Sequence, residues 1–373
     1  MRNSTFLLIL CVFFSCQRKD NEVDNQGLSY SVDTVIIDSK GRLLDLERGI
    51  FISGLDDKES SLFLYNRFDH SIDEINLNSL TFVNNYPLEA EGPNGTGNHV
   101  NYMNVSKDSL FFIKSFYKSG VFDRKGDVVE RIDWERVANS ASSQHEEKRW
   151  NEMMIDALDS KVFGLSYNNT KGEVFLDVLS VQDSLVNRHD IDPEKSYHNF
   201  ILAVEEPRTF LDPLVYMNYE NQLIFSHQYS SELILYDPEE EIVKTVYYEP
   251  SMTGKRVKDP RGPITTNEQV QHEYQHFLEQ VRFSPPVWDG KNQRYFRLSA
   301  KRVFSDTREE GAFLPDMKEI KVFLTILDAK FNLVAETVIP ELKSETAKYF
   351  AKDGKLWVYE NFSDELGFIV VDI

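Results

Sequence analysis

The chain has 373 residues, a formal net charge of -20 and 41% hydrophobic residues, with aromatic residues making up 13%. That apolar share supplies a real core and excludes a disordered chain, while the acidic excess excludes nucleic acid as a partner, since phosphate recognition draws on clustered Lys and Arg. Its two cysteines, Cys11 and Cys16, lie at the N-terminus, so residues 17–373 hold neither disulfides nor cysteine-based metal or nucleophile chemistry.

The first residues read as an export signal. Arg2 precedes the apolar run Phe6 to Phe14, which is too short to span a bilayer and ends at Ser15-Cys16, a small residue before a cysteine. That arrangement resembles a lipobox and implies cleavage before Cys16 and acylation of its thiol and amine. Several acyl chains on one residue anchor stably where a single chain binds marginally. The expected layout is a signal peptide over 1–15, a lipidated Cys16 opening a polar tether over 16–27, and one folded domain over 28–373. The membrane is then a partner through the lipid. The expected location is the cell envelope, as an outer-membrane lipoprotein facing the periplasm or the surface.

Behind the tether, one unit recurs: an aromatic-rich strand, a polar turn, and a second strand with alternating apolar residues. Six copies begin near Ser61, Ser109, Lys161, Gln222, Arg294 and Lys355. They start roughly every 50 to 70 residues, in the range of propeller blades. A small sheet cannot cover both its faces alone, but sheets stacked around an axis cover one another. The fold class expected is therefore all-β, a six-bladed β-propeller of four-stranded antiparallel blades. The last unit offers only three strands, and the strand-like stretch from Leu28 to Ile37 is placed to supply the fourth and close the ring. Two stretches break the β rhythm. Residues 133–156 are polar and helix-compatible. Residues 266–283 carry Val270, Tyr274, Phe277, Leu278 and Val281 on one helical stripe, with Thr266 or Asn267 as N-cap and Pro285-Pro286 as the stop.

The lipobox, the cysteine-free acidic body, the segment Glu91-Gly92-Pro93-Asn94-Gly95-Thr96-Gly97 and the segment Phe283-Ser284-Pro285-Pro286-Val287-Trp288-Asp289 resemble an uncharacterised family. Its members are six-bladed propeller-like lipoproteins of Bacteroides-type bacteria. The resemblance spans the whole chain, implies the same fold, and brings no activity and no catalytic residues.

Three constellations could carry chemistry. His272-Glu273-Tyr274-Gln275-His276 is a literal H-E-x-x-H, in which His272 and His276 could share a zinc ion and Glu273 activate a water. Against that, both histidines lie opposite the apolar stripe, and Glu279 and Arg282 stand where an extended metal motif needs Gly and a third His. The glycine-rich loop with Glu91, Gly92 and Asn94 allows close approach to a ligand, or is simply a turn between blades. Arg294, Arg297, Lys301 and Arg302 form the densest basic patch, and strand alternation puts Tyr295 and Arg297 on one face; the patch could recognise an anionic or sugar-like ligand, or simply pair with nearby acids. No nucleophile elbow or Ser-His-Asp arrangement is visible, no catalytic residue is assigned and no cofactor is implied. The function expected is an anchored propeller that binds a small molecule, glycan or protein; the alternative is an envelope hydrolase or lyase acting on glycan or peptide, with or without a metal.

Overall fold

Strands that are apolar on both faces must be covered on both, and that requirement decides the architecture. Leu62, Phe63, Leu64 and Tyr65 are consecutive strand residues, each at most 3% exposed. Phe111, Phe112 and Ile113 repeat the pattern, as do Leu223, Ile224 and Phe225. A computed structural model describes residues 28–107, 109–116, 118–133, 148–155, 160–168, 171–204, 209–211, 214–220, 222–345 and 347–373. Six antiparallel sheets follow one another along the chain and form a six-bladed propeller.

From the axis outward, blade 1 is built of Ser53–Leu55, Ser61–Asn66, Ser71–Asn76 and Thr81–Pro87. Blades 2, 3 and 4 repeat this order from inner strands Val100–Val105, Lys148–Met154 and Val215–Tyr219. In blade 5 the inner position is shared by Arg282–Phe283 and Val287–Asp289, both paired with Arg294–Phe304. Between them stands Pro285-Pro286, which has no N–H to give a ladder. Blade 6 consists of Tyr349–Lys352, Lys355–Phe362 and Glu365–Asp372, completed on its outer edge by Ser31–Ile36. The closing register runs from Ser31 opposite Asp372 to Ile36 opposite Gly367. The early strand thus completes the last sheet, as the count of strands required.

The core lies between blades. Phe63, Tyr65 and Ile72 of blade 1 pack on Met103, Phe111 and Phe122 of blade 2. Similar clusters fill each later junction, and Leu62, Leu64 and Ile75 meet Phe350, Trp357 and Phe368 where blade 6 returns to blade 1. At about 1.5–3 kcal/mol for each large side chain fully buried, one such junction outweighs any surface ion pair in the molecule.

Two expectations change. Residues 133–156 are not a helical insertion throughout, because Lys148–Met154 is the inner strand of blade 3; residues 134–147 lie outside the described part. Pairing of this strand with Lys161–Asn168 overrides a polar local sequence. The second helical stretch is helix over Asn267–Gln280 only, since Arg282–Phe283 is taken into blade 5.

Ring closure yields a directional test. Ile37 N–H donates to Leu366 O, so by ladder alternation Val35 also turns its N–H toward the last strand while Thr34 turns its own outward. Val35→Pro is expected to lower unfolding stability by about 3 kcal/mol, and Thr34→Pro by a fraction of that. Urea midpoints measure both; equal effects would contradict the closing register.

Candidate functional site

Successive turns of an antiparallel sheet alternate between its two ends. In every blade the link to the next blade therefore shares a face with the turn between its second and third strands. The described insertions all lie on that face. They are the hairpin Leu202–Val204 with Thr209–Leu211 between blades 3 and 4, the helix Asn267–Gln280 between blades 4 and 5, and the overlong ends of Arg294–Phe304 and Met317–Asp328 in blade 5. A reciprocal capping box starts the helix: the Thr266 hydroxyl accepts from Gln269 N–H, and the Gln269 side chain accepts from Thr266 N–H. Val270, Phe277 and Val281 bury against Phe200, Tyr229 and Phe283. Tyr274, on the same stripe, meets Phe313 from the tip of the long hairpin at 6.1 Å between ring centroids. Helix and hairpin thus form a joined rim.

Inside the rim, inner strands of successive blades stand side by side around the axis. Tyr102, Asn104, Tyr216, Asn218, Glu220, Trp288 and Lys348 belong to these strands, which surround the axial channel of the ring, or to the residues flanking them, and are half-buried. Three of them tie one inner strand to the next. Asn104 Nδ2 donates to Met154 O at 2.7 Å while its Oδ1 accepts from Met154 N–H at 3.4 Å. Asn218 Nδ2 donates to Pro286 O at 2.8 Å, and Lys348 Nζ donates to Ser53 O at 2.5 Å. Blades 2 and 3, 4 and 5, and 6 and 1 are joined in this way.

The channel concentrates ionisable groups. Glu220 Oε2 accepts from Trp288 N–H at 2.9 Å. Burial pushes the Glu220 carboxyl up to about 7, helped by the charge of Glu59 from the opposite side of the ring. Glu59 is itself raised to about 7 by burial. The Lys348 amine is lowered to about 8 by burial, with Glu220 opposing the shift. At the rim, Arg282 Nη1 lies 3.1 Å from Glu345 Oε1, and Arg302 pairs with the same oxygen. Two guanidiniums on one carboxylate leave a positive excess beside Tyr216. This mouth suits an anionic group, and the channel behind it offers an amine and carboxyls for proton exchange.

Of these residues, sequence reasoning reached Arg302 alone, as a member of the basic patch around Arg294, and assigned no site role to the others. A signal was present: Tyr102-Met103-Asn104 recurs as Tyr216-Met217-Asn218, each on an inner strand, with the methionine buried between blades and the asparagine reaching the next blade.

The residues singled out from the sequence are dispersed. Glu91 and Gly92 are exposed in the link between blades 1 and 2. Asn94 holds that link to blade 2, donating to Asp127 Oδ1 at 2.9 Å and accepting from Val128 N–H at 3.3 Å. Gly97 has φ +93° and a Cβ there would lie 2.5 Å from Ser115 Oγ, and one on Gly95 would lie 2.6 Å from Glu91 C, so these two glycines serve close packing. Tyr295 and Arg297 do share a face, but it is buried against blade 4 and both are 0% exposed. Arg297 donates to the carbonyls of Ser230, Ser231 and Ser284 and to the Tyr248 hydroxyl. The expected recognition patch is corrected accordingly: a central strand turns these side chains inward. Cys16 lies outside the described residues.

His272 and Glu273 flank an open groove of about 330 Å³ with Pro263, Ile264 and Gln269. Arg261 lies across both: its Nε donates to Glu273 Oε1 at 3.1 Å, its backbone N–H to Glu273 Oε2 at 3.3 Å, and its Nη2 to His272 Nδ1 at 2.9 Å. A guanidinium thus holds the oxygen and nitrogen a cation would need. Among the described residues no three His, Cys, Asp or Glu are grouped to hold a metal. After incubation with equimolar zinc and desalting, the protein is expected to keep far less than one zinc per chain by mass spectrometry. Stoichiometric zinc lost in His272→Ala would overturn this.

A small, mainly apolar cavity of about 20 Å³ between blades 3 and 4, with His227, Asp192, Glu232 and Ser226 in its lining, is too small for any ligand beyond a water. His227 Nδ1 accepts from Tyr229 N–H at 2.9 Å, and its buried Nε2 has no partner among the described residues. Burial, with Arg297 and Arg256 adding, pushes this imidazole down to about 3. The unfolded chain takes up a proton near pH 6.5 that the folded chain refuses, so stability falls as pH drops from about 6.5 toward 3. His227→Asn keeps an acceptor for Tyr229 and is expected to lose less stability than the parent between pH 7 and 4, read from urea midpoints.

The comparisons with known proteins agree with this architecture. No curated protein matches the chain in sequence. A crystal structure of a DUF4221 family member from Bacteroides vulgatus superposes with TM-score 0.61 at 12% identity, covering 92% of this chain and 96% of that one. A putative exported protein from Bacteroides fragilis gives TM-score 0.53 at 8% identity, covering 92% and 95%. Likeness at such identity concerns the fold. The family model described as Domain of unknown function (DUF4221) matches residues 25–338, and the chain therefore belongs to the DUF4221 family.

Proposed function

We propose that the chain is a lipid-anchored binding protein of the cell envelope, taking a small anionic ligand at the rimmed mouth of its axial channel. The observation that carries this reading is the convergence on one face of the helix, the long hairpin and the Arg282–Glu345–Arg302 cluster, with its positive excess, in a molecule of net charge -20. A rigid ring that presents polar groups around a concave centre is a common setting for ligand recognition. Envelope placement is supported by the export signal and Cys16, and the Bacteroides fragilis relative is described as exported. No helix of the described residues is long and apolar enough to cross a membrane, so the lipid would supply the attachment.

Two measurements test the proposal. Detergent-solubilised full-length protein, screened against panels of organic acids and acidic oligosaccharides, is expected to bind a member, and Arg282→Ala to weaken that binding about tenfold to 100-fold. Binding untouched by Arg282→Ala and Arg302→Ala would move the site elsewhere. Cys16→Ala is expected to shift the chain from the membrane fraction to the soluble one; continued membrane retention would remove the anchor.

A further inference from the structure

We infer that the propeller rests on the lipid surface holding its anchor through a patch of exposed apolar side chains on blades 1 and 2, on the face that carries the links between blades. The inference rests on the lipid anchor proposed above and goes beyond it, to how the ring sits on the membrane.

Among the described residues, the exposed large apolar side chains fall into two sets. One set stands singly on the outer strands, one residue per blade, as with Val83 and Val129. The others all belong to links between blades, to turns between second and third strands, or to the long hairpin of blade 5. Turns at the other ends of the strands hold none and read instead Asp56-Asp57-Lys58-Glu59 or Glu239-Glu240-Glu241. Four apolar side chains gather on blades 1 and 2: Leu43 is 69% exposed, Phe51 57%, Phe68 59% and Phe116 66%. The segments that carry them brace one another. Asn66 Nδ2 donates to Leu43 O at 2.8 Å, and Tyr65 N–H to Ile52 O at 3.0 Å. His70 Nε2 lies 2.8 Å from Thr96 Oγ1, and the His99 ring meets that of Phe116 at 6.1 Å. Arg42, Arg48, Arg67 and Lys118 each lie within three residues of one of the four. Apolar tips with basic neighbours are the composition of interfacial membrane contacts. Asp69 balances Arg42 and Asp45 balances Arg67, so a chain of net charge -20 presents a nearly neutral surface here.

Where the chain enters the fold favours lipid as the occupant. Tyr30 OH reaches Val338 O and Glu341 Oε2, each at 3.4 Å, so the tether joins the ring at its circumference, beside the link between blades 5 and 6. A stretch as long as residues 16–27 reaches about 40 Å when fully extended and about 20 Å as a flexible coil. A lipid on Cys16 therefore holds the link face within one tether length of the bilayer, where apolar tips gain by leaving water. Contact through blades 1 and 2 tilts the ring. The helix and long hairpin, around blades 4 and 5 on the far side, stand clear, and the axial mouth stays open sideways to its ligand.

The test uses the full lipidated chain in phosphatidylcholine vesicles that contain brominated lipid, a short-range quencher. Cys11 leaves with the signal peptide and Cys16 is acylated, so one introduced cysteine carries a unique fluorescent label. Labels are placed by Phe51→Cys, by Phe116→Cys and, in a turn at the other end of the strands, by Lys58→Cys. Quenching at positions 51 and 116 is expected to be at least about fivefold that at position 58. Phe68→Ser combined with Phe116→Ser is expected to cut quenching at position 51 about threefold, while the chain melts like the parent because both side chains are exposed. Equally weak quenching at all three positions, on vesicles that retain the protein, overturns the inference; the anchor then stands and the patch falls to a protein partner. Protein that does not stay with the vesicles removes the anchor and this inference together.

Discussion

Every feature described here depends on one pairing, that of Ser31–Ile36 with Glu365–Asp372. Five blades carry their own four strands, but blade 6 ends one strand short. Without the early strand, its third strand would present an open ladder of backbone groups, and the two junctions that blade 6 shares would lose their outer packing. Val32 belongs to the cluster between blades 5 and 6, and Val35 to the one between blades 6 and 1, so a single six-residue strand contributes to both. The pairing also holds chain segments together across great sequence distance: Tyr30 OH reaches Val338 O, 308 residues away. Closure of so long a loop costs only a few kcal/mol more than a short one, which the burial at one junction offsets. The axial channel exists only because the ring is shut.

How much of this could be read from the residues varies with position in the blade. Second and third strands announce themselves, because burial between blades requires runs such as Leu62 to Tyr65 or Leu223 to Phe225. Inner strands do not. They are as short as Ser53–Leu55, and part of their side chains border the channel, so hydrophobic alternation is diluted. Residues 148–154 illustrate the problem, since their place in the fold is fixed by pairing with Lys161–Asn168 and by the Lys114–Glu152 contact rather than by local pattern. The helix was legible because its stripe faces Phe200 and Tyr229, and its boundary was overrun because Arg282–Phe283 gains more as a strand partner of Arg294–Phe304 than as a last helical turn.

The candidate site was hardly legible. Arg282 and Glu345 are 63 residues apart, and Lys348 and Ser53 are 295 apart, so only the ring brings them together. The conspicuous motifs pointed elsewhere. His272 and Glu273 form an arrangement that on a zincin scaffold would hold metal, but here Arg261, eleven and twelve residues upstream, satisfies them. Arg297, a candidate for ligand recognition, is wholly enclosed, its charge balanced by carbonyl dipoles and by the ring of Phe283 4.7 Å below its guanidinium. A local pattern tells which groups exist; the partners that neutralise or expose them come from distant blades.

The side chains of Asn104, Asn218 and Lys348 have a consequence beyond joining blades. An innermost strand has a free border toward the axis, and a free border is a template onto which an extended polypeptide can be added. Asn104 takes both polar groups of Met154, Asn218 takes Pro286 O, Lys348 takes Ser53 O, and the paired prolines remove two donors altogether. Where these groups are taken, on blades 1, 3 and 5, an extended polypeptide finds fewer free partners along the axis.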